Sequence, residues 1–441
     1  MANVSDRTHA VVMGGSVAGL AAAAVLSRHF ERVTLFERDP LSSTPVPRRG
    51  VPQGAQGHIL LESGRLILAD LFPGLFDDLL RAGSVRVDMG HDMRWFQFGG
   101  WKAKGDVGYA IFSQTRPFLE HAIRARVASL PNVTLRFGEA IDAPIFEGGG
   151  VTGVRLRDGD AQGIAADLVV DATGRGSRSR QWLPAWGFAA PEEESVTLKI
   201  AYSTRLYRPA AASRPWKTMV VYPMPPHQKR AGYIFPVEDG LWQVTLAGYH
   251  GHHPPTDHDG FMAYARELSH PCFAEALAGA EPLTEPVRHT YPKQVRQRYD
   301  RLARLPERYA ILGDAVCSLD PVFGQGMSVA LKGVRALDRQ LAQGSFSPRA
   351  FQRAVAFAGF TPWLITSAEG HRFPETEGDR VPGMGLLQRY VARVFRQSAH
   401  DPAVYRALLG VVHLEKGPHT LVAPATFARV MRPLPTGTTA P

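Results

Sequence analysis

Two glycine-rich stretches hold the residues best suited to chemistry. In Gly313-Asp314-Ala315-Val316-Cys317-Ser318-Leu319-Asp320-Pro321-Val322-Phe323-Gly324-Gln325-Gly326-Met327-Ser328, an apolar strand over 309–312 delivers one carboxylate at its end. A carboxylate after a buried strand is costly unless donors reach it, and a sugar-alcohol chain would supply them. The loop through Pro321 and Gly324 then opens a helix at Gly326 and Met327. Backbone N–H groups at that helix start can stabilise negative charge on an electron-rich ring edge. The plainer reading of Asp314 is a helix cap.

The second stretch is Gly14-Gly15-Ser16-Val17-Ala18-Gly19, between a strand over 9–13 and an Ala-rich helix over 17–29. Gly14 permits a tight turn, Ser16 stands where a second glycine is usual, and Gly19 lets helix pack on strand. Ser16 is small enough for a pyrophosphate to approach, and its hydroxyl could donate to a phosphate. A second strand over 33–36 ends at Glu37 and Arg38, where the Glu37 carboxylate can accept both adenosine ribose hydroxyls. Small residues alone would also let a helix pack on a strand with no ligand; the well-placed acid favours binding. Arg48 and Arg49 lie in a long loop over 39–57, and Arg116 begins a helix; all three are candidates to neutralise a pyrophosphate. Taken in this order, the two stretches point to FAD rather than NAD.

The elements that must position these groups follow from periodicity. Helices are expected over 59–80 in two pieces and over 116–130. Strands are expected over 85–101, 133–137, 151–157 and 168–171, with Gly148-Gly149-Gly150 as a turn between the second and third. Strands over 196–207, 218–222, 232–236 and 242–247 read as an antiparallel sheet inserted into the dinucleotide-binding unit. The expected division is 1–85, 108–190 and 296–345 for the FAD-binding unit, 86–107 and 191–295 for a substrate-binding sheet, and 346–441 for a helical region. The class is α/β, Rossmann-like, with an antiparallel insertion.

The 441 residues suffice for two or three cores. Net charge is +9, but the basic residues are scattered rather than clustered with aromatics, which argues against nucleic acid. Only Cys272 and Cys317 are present, which suggests a reducing compartment. No apolar run precedes the first strand and none is long enough to span a bilayer, so a soluble cytoplasmic protein is expected, without a transmembrane segment. Cys317 has no CxxC partner and reads as a packed side chain. His250, His252, His253 and His258 lack ligand spacing, and no metal is expected. No Gly-x-Ser-x-Gly or His-Glu-x-x-His run occurs, and no second nucleotide fingerprint.

In combination, the Gly14–Gly19 turn with Glu37, Arg48-Arg49-Gly50-Val51, Ala172-Thr173-Gly174-Arg175-Gly176 and Gly313-Asp314 through Gly326 resemble the FAD-dependent monooxygenases of the p-hydroxybenzoate hydroxylase-like fold. The resemblance covers residues 9–345. Arg49-Gly50-Val51-Pro52-Gln53 with His58, and the wording around Val316-Cys317-Ser318, are most similar to bacterial epoxidases of polyketide, polyether-antibiotic and terpenoid pathways. There are departures. That subgroup tends to carry His-x-His where this chain has Gln56 and His58, and Val316-Cys317 replaces the Ala-His usual after Gly-Asp-Ala in hydroxylases.

The resemblance implies reduced FAD reacting with dioxygen to give a flavin hydroperoxide, which epoxidises or hydroxylates an apolar polyketide, terpenoid or aromatic substrate. It implies NAD(P)H or a partner flavin reductase as electron source. Epoxidation needs no protein nucleophile; hydroxylation would benefit from a base, and His58 is the candidate. A halogenase would be expected to show Trp-x-Trp-x-Ile-Pro, and Trp182 and Trp186 are not so spaced. An isoprenoid-type reductase or desaturase, or a flavoprotein using FAD structurally or for cyclisation, shares the fold.

Overall fold

The computed structural model describes residues 7–158, 163–210, 214–380 and 382–435. The expectations for residues 1–6 and for the tail beyond 435 lie outside them.

Five parallel strands order as Tyr309–Ile311, Leu168–Asp171, His9–Met13, Arg32–Glu37 and Val133–Phe137. The first three of these are buried throughout, as strands covered on both faces must be. Helix Val17–Leu26 has no polar stripe, and nine of its ten residues are buried. The Ala run suits this position, sandwiched between the sheet and the helices Arg116–Ala128 and Gly326–Ala342. Because all five strands run one way, their carboxyl ends share an edge. Met13, Glu37, Asp171 and Ile311 each end a strand there, which is where such sheets open a ligand crevice.

A larger sheet takes the order Cys317–Ser318, Val287–Gln297, Glu193–Arg208, Trp242–Gly248, Arg230–Pro236, Thr218–Val221, Met93–Gln97 and Gly100–Trp101. Its four expected strands are all present, and Val287–Gln297 adds one that periodicity did not reveal. Thr218–Val221 and Met93–Gln97 pair in parallel, so the sheet is mixed. Helices His258–Arg266 and Cys272–Leu277 cover one face through Phe261, Tyr264 and Phe273. The other face looks towards the dinucleotide-type unit. The glycine turn at 148–150 joins Ile141–Glu147 to Gly150–Leu156 in a small sheet. Val133–Phe137, expected to flank that turn, instead pairs with Arg32–Glu37.

Helix Pro348–Gly370 starts behind a Ser347 cap with proline at its first position, a favourable entry. It spans both cores. Phe351 and Val355 belong to the core around the parallel sheet, and Trp363 to the core under the large sheet. Gln352 Nε2 donates to the Ile311 carbonyl at 2.9 Å, and Ser367 Oγ accepts from Gln294 Nε2 at 2.8 Å. Helices Met384–Gln397 and Pro402–Val412 close the second core. Among the described residues, no helix is long and apolar enough to cross a membrane.

Candidate functional site

A cavity of about 630 Å³ runs from the carboxyl edge of the parallel sheet to the face of the large sheet. At one end stands the Gly14–Gly19 turn. Gly14 has φ +102°, and a Cβ there would lie 2.6 Å from the Ala172 carbonyl oxygen. A Cβ on Gly19 would lie 1.8 Å from the Gly14 oxygen, so helix and strand touch backbone to backbone. Gly15 N–H donates to Glu37 at 2.8 Å, and Asp39 N–H to the other Glu37 oxygen at 3.0 Å. The oxygen that faces Asp39 keeps a lone pair for a ribose hydroxyl.

Beneath this turn lies an ion cluster. Arg48 reaches Glu37 at 3.2 Å, Asp39 at 3.4 Å and Glu120 at 3.1 Å, and donates to the Gly15 carbonyl at 3.2 Å. Arg116 donates twice to Glu120, at 3.0 and 2.8 Å, and once to Ser16 Oγ at 2.8 Å. Ser16 Oγ in turn donates to Glu120 at 2.5 Å. Burial pushes the Glu120 carboxyl up, but Arg116 and Arg48 hold it down at about 2. The expected direct role of Arg48 at a pyrophosphate is therefore corrected: its guanidinium is spent on three carboxylates and does not line the cavity. Arg49 is exposed and also outside the lining. The Ser16 hydroxyl, expected to face a phosphate, is engaged sideways. Arg38 and Arg116 do line the cavity.

At the other end, Asp314 sits in the turn Gly313–Ala315, straight after Tyr309–Ile311. Its carboxylate lines the cavity, and among the described residues it makes no hydrogen bond. Burial raises its pKa, opposed by the charges of Arg175 and Arg116. Helix Gly326–Ala342 starts beside it: a Cβ on Gly326 would be 3.8 Å from the Asp314 carboxylate. Pro321, Gly324, Gly326 and Met327 all face the same space. Asp171, at the neighbouring strand end, is structural. It accepts from Thr173 N–H at 3.0 Å and Ser177 Oγ at 2.6 Å, fixing the Ala172–Ser177 loop. Cys317 is buried, and burial pushes its thiol up to about 12, so it stays a packed thiol.

The wall opposite Asp314 belongs to the large sheet. Tyr202 and His289 are cross-strand partners, and Tyr291 follows two residues on, so all three share a face. Arg175 lies over the Tyr291 ring at 4.5 Å. The loop over 39–57 is stitched onto this sheet. Gln56 accepts from Thr204 Oγ1 at 2.6 Å and donates to the Val287 carbonyl at 3.1 Å, while Gly57 N–H donates to Thr245 Oγ1 at 3.2 Å. His58 thereby lines the cavity, and its Nδ1 donates to the Gln56 carbonyl at 2.8 Å. Burial, then Arg116, lowers its pKa to about 4, so the ring is neutral near pH 7 with Nε2 as acceptor.

The sequence reading missed Glu120, Tyr202, His289 and Tyr291. Glu120 was readable, four residues after Arg116 on one helix face. The other three were hidden because their register is set by pairing across the sheet. Three of the four histidines at 250–258 go to separate partners: His250 to Thr376, His253 to the Lys199 carbonyl and His258 to Arg205.

A fingerprint turn with an acid-ended second strand, a second acid at the far end of the same crevice and a sheet roofing it define an FAD-type dinucleotide site on the p-hydroxybenzoate hydroxylase-like fold. The residues present fit that cofactor: a glycine cradle that a Cβ would fill, and a carboxylate without donors. Comparison with known proteins carries this further. The chain belongs to the FAD binding domain family, which matches residues 7–345. It is 34% identical over 400 residues to Protein Rv3254 of Mycobacterium tuberculosis, covering 86% of this chain and 83% of that one. It is 26% identical over 375 residues to the ubiquinone hydroxylase UbiL of Rhodospirillum rubrum, covering 83% and 77%. Among solved structures, a variant of the flavin-dependent brominase Bmp2 superposes with a TM-score of 0.68 at 16% identity, covering 94% of this chain and 96% of that one. At that identity the likeness is one of fold.

Proposed function

We propose that this protein is an FAD-dependent monooxygenase that epoxidises or hydroxylates an apolar small molecule, a polyketide, terpenoid or aromatic intermediate. The observation that carries the reading is Asp314, a carboxylate without donors that faces the cavity under an aromatic roof, within the field of Arg175 and Arg116. Ribityl hydroxyls would satisfy it. Glu37 would hold the adenosine ribose, the Gly14, Gly15, Ser16 and Ala18 backbone the pyrophosphate, and Arg38 and Arg116 its charge, with Gly19 setting the helix against the turn. Pro321, Gly324, Gly326 and Met327 would border the ring. Reduced FAD, when bound, supplies activation of dioxygen, with electrons from NAD(P)H or a reductase. One oxygen atom enters the substrate and the other leaves as water.

The chain's own residues have three tasks. Tyr202, Tyr291, Leu319 and Ile59 exclude water from the ring end of the cavity. The helix start at Gly326 places N–H groups near developing negative charge. His58 offers Nε2 as a proton acceptor if the reaction is a hydroxylation, though its low pKa makes it a weak base near pH 7. UbiL, a named hydroxylase, is a relative across most of both chains, which supports the oxygenase reading over a flavin-only role.

The test begins with purified protein. It should carry yellow FAD; after anaerobic reduction, admitting oxygen should give a transient spectrum distinct from both reduced and oxidised flavin. Direct reoxidation without a transient, with candidate substrates present, would favour the isoprenoid-type reductase or desaturase. A colourless protein that takes up no FAD overturns the reading.

A further inference from the structure

Ten large apolar side chains stand open to solvent among the described residues, and four of them come from one stretch near the end of the chain. These are Leu386 at 74% exposure, Val422 at 56%, Met431 at 48% and Phe427 at 44%. They lie on or beside helix Met384–Gln397, the turn Pro418–Leu421 and helix Pro424–Val430. Tyr390 is the hub. Its ring stacks on Phe427 at 6.0 Å, and its hydroxyl donates to the Leu421 carbonyl at 2.6 Å. Leu386 sits one turn before Tyr390, Met431 one turn after Phe427, and Val422 next to Leu421, so all four gather about that ring. Arg393 fastens the two helices, donating to the carbonyls of Val430 at 2.9 Å, Met431 at 3.0 Å and Arg432 at 3.1 Å. Leu421 and Val430 turn inward to the core under the large sheet, so the exposed four form a separate, outward face. One exposed leucine needs no explanation, but a fixed group of four does.

The charge around this face is one-sided. Residues 382–435 hold seven arginines and lysines against two acids, Asp401 and Glu415. Both acids are engaged. Asp401 caps helix Pro402–Val412 and pairs with Arg429 at 3.0 Å, and Glu415 accepts from Tyr109 at 2.6 Å. Arg389 lies one turn from Leu386 on its helix, and Arg432 follows Met431. Both are exposed, and neither pairs with a carboxylate among the described residues. Arg393 meets only carbonyls on Val430, Met431 and Arg432, so its charge is not offset there. Two copies of such a face would set arginine against arginine, which opposes self-association. Large apolar side chains standing out of a cationic, acid-poor surface suit a bilayer with anionic headgroups. The apolar groups enter the acyl boundary, and the guanidiniums meet phosphate oxygens. No helix among the described residues is long and apolar enough to cross a membrane, so the contact this face makes is peripheral.

We propose that this face docks the protein on an anionic lipid surface. Leu386, Val422, Phe427 and Met431 insert, and Arg389, Arg393 and Arg432 bind headgroup phosphates. The docking is independent of the oxygenase reading and needs no turnover to be seen.

Purified FAD-loaded protein is floated with vesicles of phosphatidylcholine alone and of equal parts phosphatidylcholine and phosphatidylglycerol. It should bind the anionic vesicles at least about tenfold more tightly, and added salt should weaken that binding. Arg389→Gln should weaken it about fivefold, the effect of one charge near the surface. Leu386→Ser should weaken it about tenfold, by removing one inserted apolar side chain. Arg32→Gln removes the same charge as Arg389→Gln from the exposed start of its strand, outside this face, and should leave binding unchanged. All three variants should keep the wild-type thermal midpoint and flavin content, which separates lost docking from a lost fold. The proposal is overturned if the protein binds both vesicles equally or neither, or if Leu386→Ser binds as wild type does. It is overturned too if Arg32→Gln weakens binding as much as Arg389→Gln, which would mark only the attraction of a basic protein. A dimer in sedimentation that Leu386→Ser breaks into monomers also overturns it, because a second copy then covers the face. Failure to take up FAD, by contrast, overturns the oxygenase reading, and vesicle binding is then read on the same protein without flavin.

Discussion

Asp314 faces the cavity with no hydrogen-bond donor, and its burial already raises its pKa. A ligand that donates to it gains a charge-assisted bond worth about 1.5–3 kcal/mol. Asp314→Ala should therefore weaken FAD binding by about 10- to 150-fold, with Asp314→Asn between it and wild type, in a fluorescence titration of apoprotein with FAD. Unchanged affinity in Asp314→Ala would remove the residue from the site. Asp320, six residues on, is buried for another reason. It accepts from Val322 N–H at 2.9 Å and from Tyr249, and burial pushes it from 3.8 up to about 7. Between those values the unfolded chain has released the proton and the folded chain still holds it. The stability this gives is complete below 3.8 and is lost as pH rises towards 7. Asp320→Asn keeps an acceptor for Val322 and has no proton to lose. Its urea midpoint should vary less between about pH 4 and pH 8 than that of wild type, and should be the higher of the two at about pH 8. Parallel pH profiles for the two proteins would refute this.

The fingerprint helix and helix Gly326–Ala342 both contain interior glycines, with opposite needs. A Cβ at Gly19 would collide with the Gly14 carbonyl oxygen at 1.8 Å, and backbone on both sides cannot yield. A Cβ at Gly333 would meet Val355 methyls at 3.6 and 3.9 Å, ordinary contact. Gly19→Ala should cost about 3 kcal/mol or prevent folding, while Gly333→Ala should be neutral or stabilising by up to about 1 kcal/mol, from urea midpoints of the two variants. Equal effects would mean that the glycines serve no packing role. The same contrast explains what could be read from the sequence. Gly14, Ser16, Gly19 and Glu37 are local: their spacing fixes the strand–turn–helix–strand whatever else the chain does. Asp314 at a strand end was legible for that reason too. Ile141–Glu147 was missed because Pro144 and Asp142 argue against a strand; it survives as the edge of a three-stranded sheet, where a missing N–H is tolerated. Val287–Gln297 was missed because Arg288, Pro292, Lys293 and Arg296 interrupt its apolar alternation. Pro292 sits where the register to Thr197 and Ile200 shifts, so it need not donate to the ladder. With that strand went His289 and Tyr291, and the roof of the cavity.

At the scale of the whole molecule, the family match ends at residue 345, but neither core does. Phe351 and Val355 complete the core around the parallel sheet, and Trp363, Phe373, Phe395 and Tyr405 that under the large sheet. The ties are polar as well. Gln352 donates to the carbonyl of Ile311, three residues before Asp314, and Gln294 bridges Ser367 and the N–H of Asp320. Lys102 is buried with its ammonium on the Phe395 carbonyl at 2.8 Å, and burial lowers its pKa to about 7. Cutting the chain after residue 345 would bare apolar faces of both sheets and leave Gln294 and Lys102 without those partners. Each large buried side chain lost costs roughly 2–5 kcal/mol, and several go at once, against a total stability of about 5–15 kcal/mol. A chain ending at residue 345 should therefore be insoluble, or soluble without a cooperative thermal transition and without FAD uptake. Full-length protein should unfold in one transition that moves upward with added FAD, because the cavity draws its walls from both sheets and binding stabilises them together. A truncated chain that unfolds cooperatively and takes up FAD would show that residues 346–441 form a separable region, and that Asp314 is held in place without the Gln352 contact behind it.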